Sequence, residues 1–228
     1  MSTAIKSEQA FFDKNEGLIE VIQRAKVDTS YCYDSQKIMD DKIAYLAENC
    51  QSVLDFGKSS RSHFELFKPG QVETADINQY EGYPDIICDI CDASTLPQRK
   101  YDGIVCNAVI EHVYDPFAAV RNMYDLLEDG GICMCYAPFI FRYHAPGDLK
   151  FQDYFRFSRD GLALLFKDYS KVTLYSIRGR SSSALNYAVP GWKKIEKRFG
   201  FMNKMVDSVF GGKESPLQVT GYVVWAEK

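Results

Sequence analysis

The run CDASTLPQRKYDGIVCNAVIEHVYDPFAAVRNMYDLLEDGGICMCYAPF, Cys91 to Phe139, decides the fold of this chain. Gly103 to Ala108 is a short apolar stretch ending on polar or small residues, which predicts a buried strand. Asp115 followed by Pro116 is a helix start, a capping carboxylate and then a first-turn proline. Val120, Met123 and Leu127 recur at helical spacing, and Gly130 and Gly131 are expected to stop that helix before a strand at Ile132 to Ala137. A strand, a crossover helix and a second strand make a parallel pair.

The same alternation extends in both directions. Upstream, Met39, Ile43, Leu46 and Cys50 predict an amphipathic helix over Ser35 to Cys50. Strands are expected at Ser52 to Phe56, Gln71 to Ile77 and Asp85 to Ile90. Downstream, FRYHAPGDLKFQDYFRFS, Phe141 to Ser158, is aromatic, charged and without a clear period, as an active-site loop is. Ser158 can cap a helix over Arg159 to Lys167, followed by strands at Lys171 to Ile177 and Gln218 to Ala226. Between these two strands, Trp192, Ile195, Phe199, Met202, Val206 and Val209 keep helical spacing up to Gly211 and Gly212. The pattern predicts an α/β chain with a mostly parallel, doubly wound, seven-stranded sheet covered by helices on both faces. Sheets of this kind bind ligands beyond the carboxyl ends of their strands.

Composition narrows the function. The chain has 228 residues and a net charge of −4, from 27 basic against 31 acidic side chains, which argues against a binder of nucleic acid that works by neutralising phosphates. The start, MSTAIKSEQAFF, has no basic segment followed by an apolar run, and no stretch approaches the roughly 18 apolar residues of a membrane span. A cytoplasmic protein is expected. The seven cysteines are odd in number and lie mostly in apolar runs, so the Cys88/Cys91 and Cys133/Cys135 pairs read as reduced core residues, and no metal site is expected from them.

The order of these pieces resembles the class I S-adenosylmethionine-dependent methyltransferases. In Cys91 to Phe139 an acidic and a small residue precede Leu-Pro, Tyr-Asp opens the fourth strand, Glu-His-Val and Asp-Pro follow, and Gly-Gly leads into the fifth strand. The resemblance implies a Rossmann-like fold forming a single domain over residues 1–228. It would comprise an N-terminal helical region over 1–50 and substrate-side insertions at 139–158 and 179–217.

It also implies a cofactor, S-adenosyl-L-methionine, and residues to hold it. Asp55, at the tip of strand one, would hold the following loop or receive the cofactor's ammonium, and Gly57 would let backbone approach the methionine portion. Lys58 and Ser59 would bind its carboxylate. Asp76 would accept both ribose hydroxyls, with Ile77 beside it, while Asp92 and Ala93 would read the adenine edge and Asn107 would line the sulfonium pocket. The sequence departs from the family at the second and third loop glycines, where it has Ser59 and Arg61.

Methyl transfer from a sulfonium needs alignment above all, and a hydroxyl acceptor also needs a base. His144, in the loop after strand five, is the expected base, with His112 of the Glu-His-Val turn shaping the pocket. Tyr143, Asp153, Tyr154 and Arg156 are expected to bind the acceptor, since rings stack on sugar faces while Arg and Asp take hydroxyls or a phosphate. The sequence Pro-Phe, then His, then Asp-Tyr-x-Arg-Phe-Ser resembles a bacterial branch found with surface-polysaccharide and sugar biosynthesis. That likeness implies O-methylation of a sugar, a nucleotide-linked sugar or a phosphorylated polysaccharide precursor, and leaves room for a homodimer. Three alternatives stand beside it: N-methylation of a small amine, an inactive protein of the same fold, and a nucleotide-dependent oxidoreductase. The last lacks a GxGxxG loop.

Overall fold

The computed structural model describes residues 16–145, 147, 151–199, 201–210 and 216–228. In chain order the elements are α1 (helical over 16–24), β1 (Lys26–Asp28), α2 (Ser35–Asn49), β2 (Val53–Phe56), β3 (Val72–Asp76), β4 (Ile86–Ile87), β5 (Tyr101–Asn107), α3 (Pro116–Leu126), β6 (Leu127–Pro138), α4 (Arg159–Leu165), β7 (Lys171–Ile177), α5 (Arg180–Ala188), α6 (Trp192–Arg198), α7 (Met202–Phe210) and β8 (Gly221–Glu227). Short 3₁₀ turns at Arg61–Leu66 and Ala93–Thr95 follow β2 and β4.

The strands form one mixed sheet in the order β1-β7-β8-β6-β5-β2-β3-β4, in which only β8 runs antiparallel to its neighbours. Seven strands follow the sequence reading, and the eighth, β1, adds three residues beside β7. Both faces are covered. Val53, Val105, Met134 and Val223 pack on one face with Ile38, Ile43 and Leu46 of α2. Their neighbours Leu54, Ile104, Cys133 and Val224 pack on the other with Val120 and Met123 of α3 and Leu162 of α4. Adjacent strand residues point to opposite faces, so a strand apolar at successive positions requires a helix layer on each side.

Local chemistry sets the helix starts. Asp115 accepts the Ala118 amide at 3.0 Å and Ser158 the Gly161 amide at 3.2 Å, as their positions predict. The end of α3 differs from the expectation, because the helix stops at Leu126 and not at the glycines. Leu127 already pairs with Tyr101, and the Lys228 amine takes the carbonyls of Tyr124 and Leu127 at 3.0 and 2.8 Å, so the helix end is closed by Lys228. Gly130 and Gly131 serve a bulge in β6. A Cβ on Gly131 would lie 2.9 Å from the Glu128 carbonyl.

Two further expectations are corrected. The strand expected at Asp85 to Ile90 is only two residues long, Ile86–Ile87, and just before it the Asp85 carboxylate accepts the amide and hydroxyl of Thr74 at 2.8 and 2.6 Å. The continuous helical spacing from Trp192 to Val209 is split into α6 and α7 at Phe199, whose backbone leaves the helical region at φ −130°, ψ 74°. Gly211 and Gly212 lie outside the described residues. No described helix is long and apolar enough to cross a membrane.

Candidate active site

Strands β2, β3 and β5 are parallel, so Phe56, Asp76 and Asn107 end on the same edge of the sheet. The loop leaving β2 is organised by Asp55. Its carboxylate is fully buried and accepts the Ser59 amide (2.7 Å), the Ser60 amide (3.0 Å) and the Ser60 hydroxyl (2.7 Å). Burial raises the Asp55 carboxyl to about 6, against the lowering effect of those donors.

The left-handed positions of this turn are Gly57 (φ +71°) and Lys58 (φ +51°), so Ser59 and Arg61 replace glycines without entering that region. A Cβ on Gly57 would sit 2.9 Å from Val109 Cγ2, which keeps this backbone bare. Ser59 is a cross-tie: its hydroxyl donates to the Phe56 carbonyl at 2.5 Å and accepts the Asn107 amide at 2.9 Å. It joins the tips of β2 and β5.

At the tip of β3, Asp76 accepts the Asn78 amide on Oδ1 (2.9 Å) and the Tyr83 hydroxyl on Oδ2 (2.8 Å). Burial, then the Asp76 carboxylate, push the Tyr83 phenol upward, so it stays a donor. The Lys58 amine lies 5.0 Å above the Tyr83 ring, connecting this tip to the first loop. Each Asp76 oxygen keeps a lone pair free for a diol. Ile77, the next residue, is exposed. Asp92 caps the Ala93–Thr95 turn by accepting the Ser94 amide and hydroxyl at 2.9 and 2.7 Å, which lowers its carboxyl, and both Asp92 and Ala93 are exposed.

The second half of the site follows β5. The Glu111 carbonyl accepts the amides of Tyr154 (2.8 Å) and Phe155 (3.2 Å), docking the far end of the loop from Phe141 to Ser158 on the Glu-His-Val turn. That docking brings His112 and His144 together, Nε2 to Nε2, at 3.0 Å. The Glu111 carboxylate, with no exposed surface, has Oε1 3.7 Å from each of those nitrogens. Neither of its oxygens accepts a hydrogen bond among the described residues. Burial pushes the Glu111 carboxyl up to about 8 and lowers the His112 imidazole.

Behind His144, Asp153 accepts its amide at 2.9 Å and lies 3.2 Å from its Nδ1. Asp153 also takes both terminal nitrogens of Arg156, which holds its carboxyl down at about 2. Arg156 donates further to the carbonyls of Phe141 and Arg142, at 3.2 and 2.8 Å, so the pair frames the loop from within. Tyr143 and Tyr154 are exposed beside it. Glu111 escapes a sequence reading centred on the histidines, although a carboxylate set between Ile110 and His112 in an apolar run is the signal for it. Arg142 escapes as well. Its guanidinium donates to the carbonyls of Tyr187, Asn186 and Val189 at 2.7, 2.7 and 3.0 Å, fastening the end of α5 to the loop.

A family model described as a methyltransferase domain matches residues 31–169. A search of curated proteins returns no match. Among solved structures the chain is similar to an S-adenosylmethionine-dependent methyltransferase from Archaeoglobus fulgidus, with 15% identity over 85% of this chain and 94% of that one at a TM-score of 0.49. It is similar also to one from Mesorhizobium loti, with 13% identity over 86% and 100% of the two chains and the same TM-score, 0.49. The family match spans more than half of the sequence and includes the tips of β2, β3 and β5 and both histidines; the chain belongs to the methyltransferase domain family and is an S-adenosylmethionine-dependent methyltransferase.

Proposed function

We propose that the protein methylates a hydroxyl group of a sugar, a nucleotide-linked sugar or a phosphorylated polysaccharide precursor in the cytoplasm. The observation that carries this reading is the cluster of Glu111, His112 and His144, three groups able to exchange protons that converge at the carboxyl edge of the sheet. An amine acceptor that is already neutral needs no such cluster; a hydroxyl must lose a proton as its oxygen attacks.

In this reading Gly57, Lys58 and Ser59 meet the methionine portion of the cofactor, Asp76 the ribose, Ile77, Asp92 and Ala93 the adenine, and Asn107 the sulfonium side. Bound S-adenosylmethionine supplies an already activated methyl group. The protein's own part is to orient the acceptor, exclude water and ease the loss of the hydroxyl proton at the Glu111–His112–His144 cluster. Tyr143 and Tyr154 offer exposed ring faces for a sugar. Asp153 and Arg156 satisfy each other and the loop's carbonyls, and through that pairing they hold His144 in position.

The test is His144→Ala, at a side chain 30% exposed. Loss of a positioned proton acceptor removes roughly 10²- to 10⁴-fold of rate, so turnover with hydroxylated sugar acceptors should fall by that range while calorimetric affinity for S-adenosylmethionine is kept. Near-normal turnover with the sugar acceptor would remove His144 from the proton transfer, and equal turnover with simple amines would replace O-methylation by N-methylation.

A further inference from the structure

We propose that Glu111, His112 and His144 form a binding site for one divalent transition-metal ion, zinc in preference to magnesium, and that the acceptor's hydroxyl oxygen binds this ion. Its use in catalysis rests on the O-methylation reading; its binding does not.

The geometry is that of a metal's donor face. His112 Nε2, His144 Nε2 and Glu111 Oε1 form a triangle with sides of 3.0, 3.7 and 3.7 Å, and the point equidistant from its three corners lies about 2.0 Å from each. Zinc bonds to imidazole nitrogen and carboxylate oxygen run at about 2.0–2.2 Å. By distance, the three atoms lie where ligands of one ion belong.

The hydrogen bonds around the triangle point the same way. His112 Nδ1 meets the Gln152 carbonyl at 2.5 Å, and a carbonyl only accepts, so that nitrogen carries the proton and Nε2 presents a lone pair. His144 Nδ1 lies 3.2 Å from both the Arg142 carbonyl and the Asp153 carboxylate, again acceptors only. With a single proton on the ring, its Nε2 presents a lone pair as well. Two lone pairs 3.0 Å apart beside a carboxylate with no hydrogen-bond donor repel one another unless a positive charge sits between them. An imidazole that donates its other N–H to a carbonyl or carboxylate is the usual arrangement of a metal-bound histidine. Two imidazoles and one carboxylate favour zinc and its transition-metal neighbours over magnesium, which prefers oxygen donors.

With three protein ligands, an ion lying in or just above their plane keeps a position out of that plane for the acceptor. A hydroxyl bound there ionises near neutral pH, as metal-bound water does, and its proton leaves to solvent. The oxygen then forms its bond to the methyl carbon while the carbon–sulfur bond breaks. Sulfur keeps that electron pair and loses its positive charge, so atoms and charge balance without an oxidant or reductant.

The test begins with the full-length protein stripped by a strong chelator, dialysed and titrated with Zn²⁺ by calorimetry, with bound metal counted by elemental analysis. The expected result is one ion per chain, abolished in His144→Ala and retained in Cys91→Ser, where the cysteine that is not buried is removed. Because Glu111 is buried and Glu111→Gln can fail to fold, Asp153→Asn supplies a second measurement, with zinc affinity reduced roughly 10- to 100-fold through His144. Cobalt substitution gives a readout independent of activity, a visible absorption band in wild type that is lost in His144→Ala. A stripped wild-type chain that takes up no zinc, or a His144→Ala chain that takes up as much as wild type, overturns the site. Full turnover of the stripped protein overturns the ion's catalytic use and returns the proton to the imidazole. Zinc binding without any binding of S-adenosylmethionine would leave the metal site standing and remove the methyl-transfer reading.

Discussion

Asp55 is held by opposing effects, of which burial is the larger. Three donors favour its charged form, and complete burial opposes it; the balance raises the folded-state value to about 6. The unfolded chain ionises near ~3.9, so as pH rises from about 4 the unfolded state gains its charge first. Stability from this residue is full below about 4, declines up to about 6 and is level above. Replacing it removes the titration, so the cost of Asp55→Asn in urea unfolding should be larger at pH 4.5 than at pH 7, by on the order of 2 kcal/mol. A larger cost at pH 7 would mean that the serine donors outweigh burial. Asp76 carries a different prediction. Both of its oxygens already hold one donor, and a ribose diol would add the second to each. Asp76→Ala should weaken S-adenosylmethionine binding by about 1–3 kcal/mol in calorimetry, and unchanged affinity in the folded variant would remove Asp76 from the cofactor.

At the scale of the element, sequence reading succeeds where a local rule decides. Asp115 and Ser158 cap their helices because a side chain three residues from a free amide needs no tertiary partner. It fails where a distant residue intervenes. Lys228 closes α3 at Leu127 from about a hundred residues away, and the turn at Phe199 splits a helix that its apolar spacing would have continued. The histidines were legible by their places after β5 and β6, while Glu111 joined them only when the loop docked on its carbonyl. The glycine-poor loop is the instructive case. The left-handed positions of this loop fall on Gly57 and Lys58, which leaves Ser59 free to tie β2 to β5. Ser59→Gly removes the acceptor of the Asn107 amide and should change cofactor affinity about fivefold or more, with acceptor KM within about twofold, since an amide left without its partner costs roughly 1–3 kcal/mol. Equal cofactor binding would put this loop outside the site.

Across the whole molecule, the part least legible in the sequence, residues 179–217, is joined to the histidine-bearing loop after β6. Asp207 of α7 accepts the amides of Gly179 and Ser182 at 3.1 and 2.9 Å and the Ser182 hydroxyl at 2.6 Å, pinning α7 to the start of α5. Arg142 then ties the end of α5 to the active-site loop, a cation placed on carbonyls that a helix C-terminus leaves without partners. The carbonyl of Arg142 also faces His144 Nδ1 and Arg156, so one residue borders both the insertion and the histidine cluster. Removing its side chain should therefore loosen two regions distant in sequence and leave the sheet intact. In Arg142→Ala, hydrogen exchange should quicken over residues 180–189 and over 151–157, while β2 and β5 exchange as in wild type. Global stability should fall by only about 1 kcal/mol, because the guanidinium is exposed and water can replace part of what it supplies. Acceptor KM should rise while S-adenosylmethionine affinity stays level, since the loop is proposed to hold the acceptor. Quickened exchange confined to 180–189 would show that the insertion is only attached to the loop and does not hold it in place.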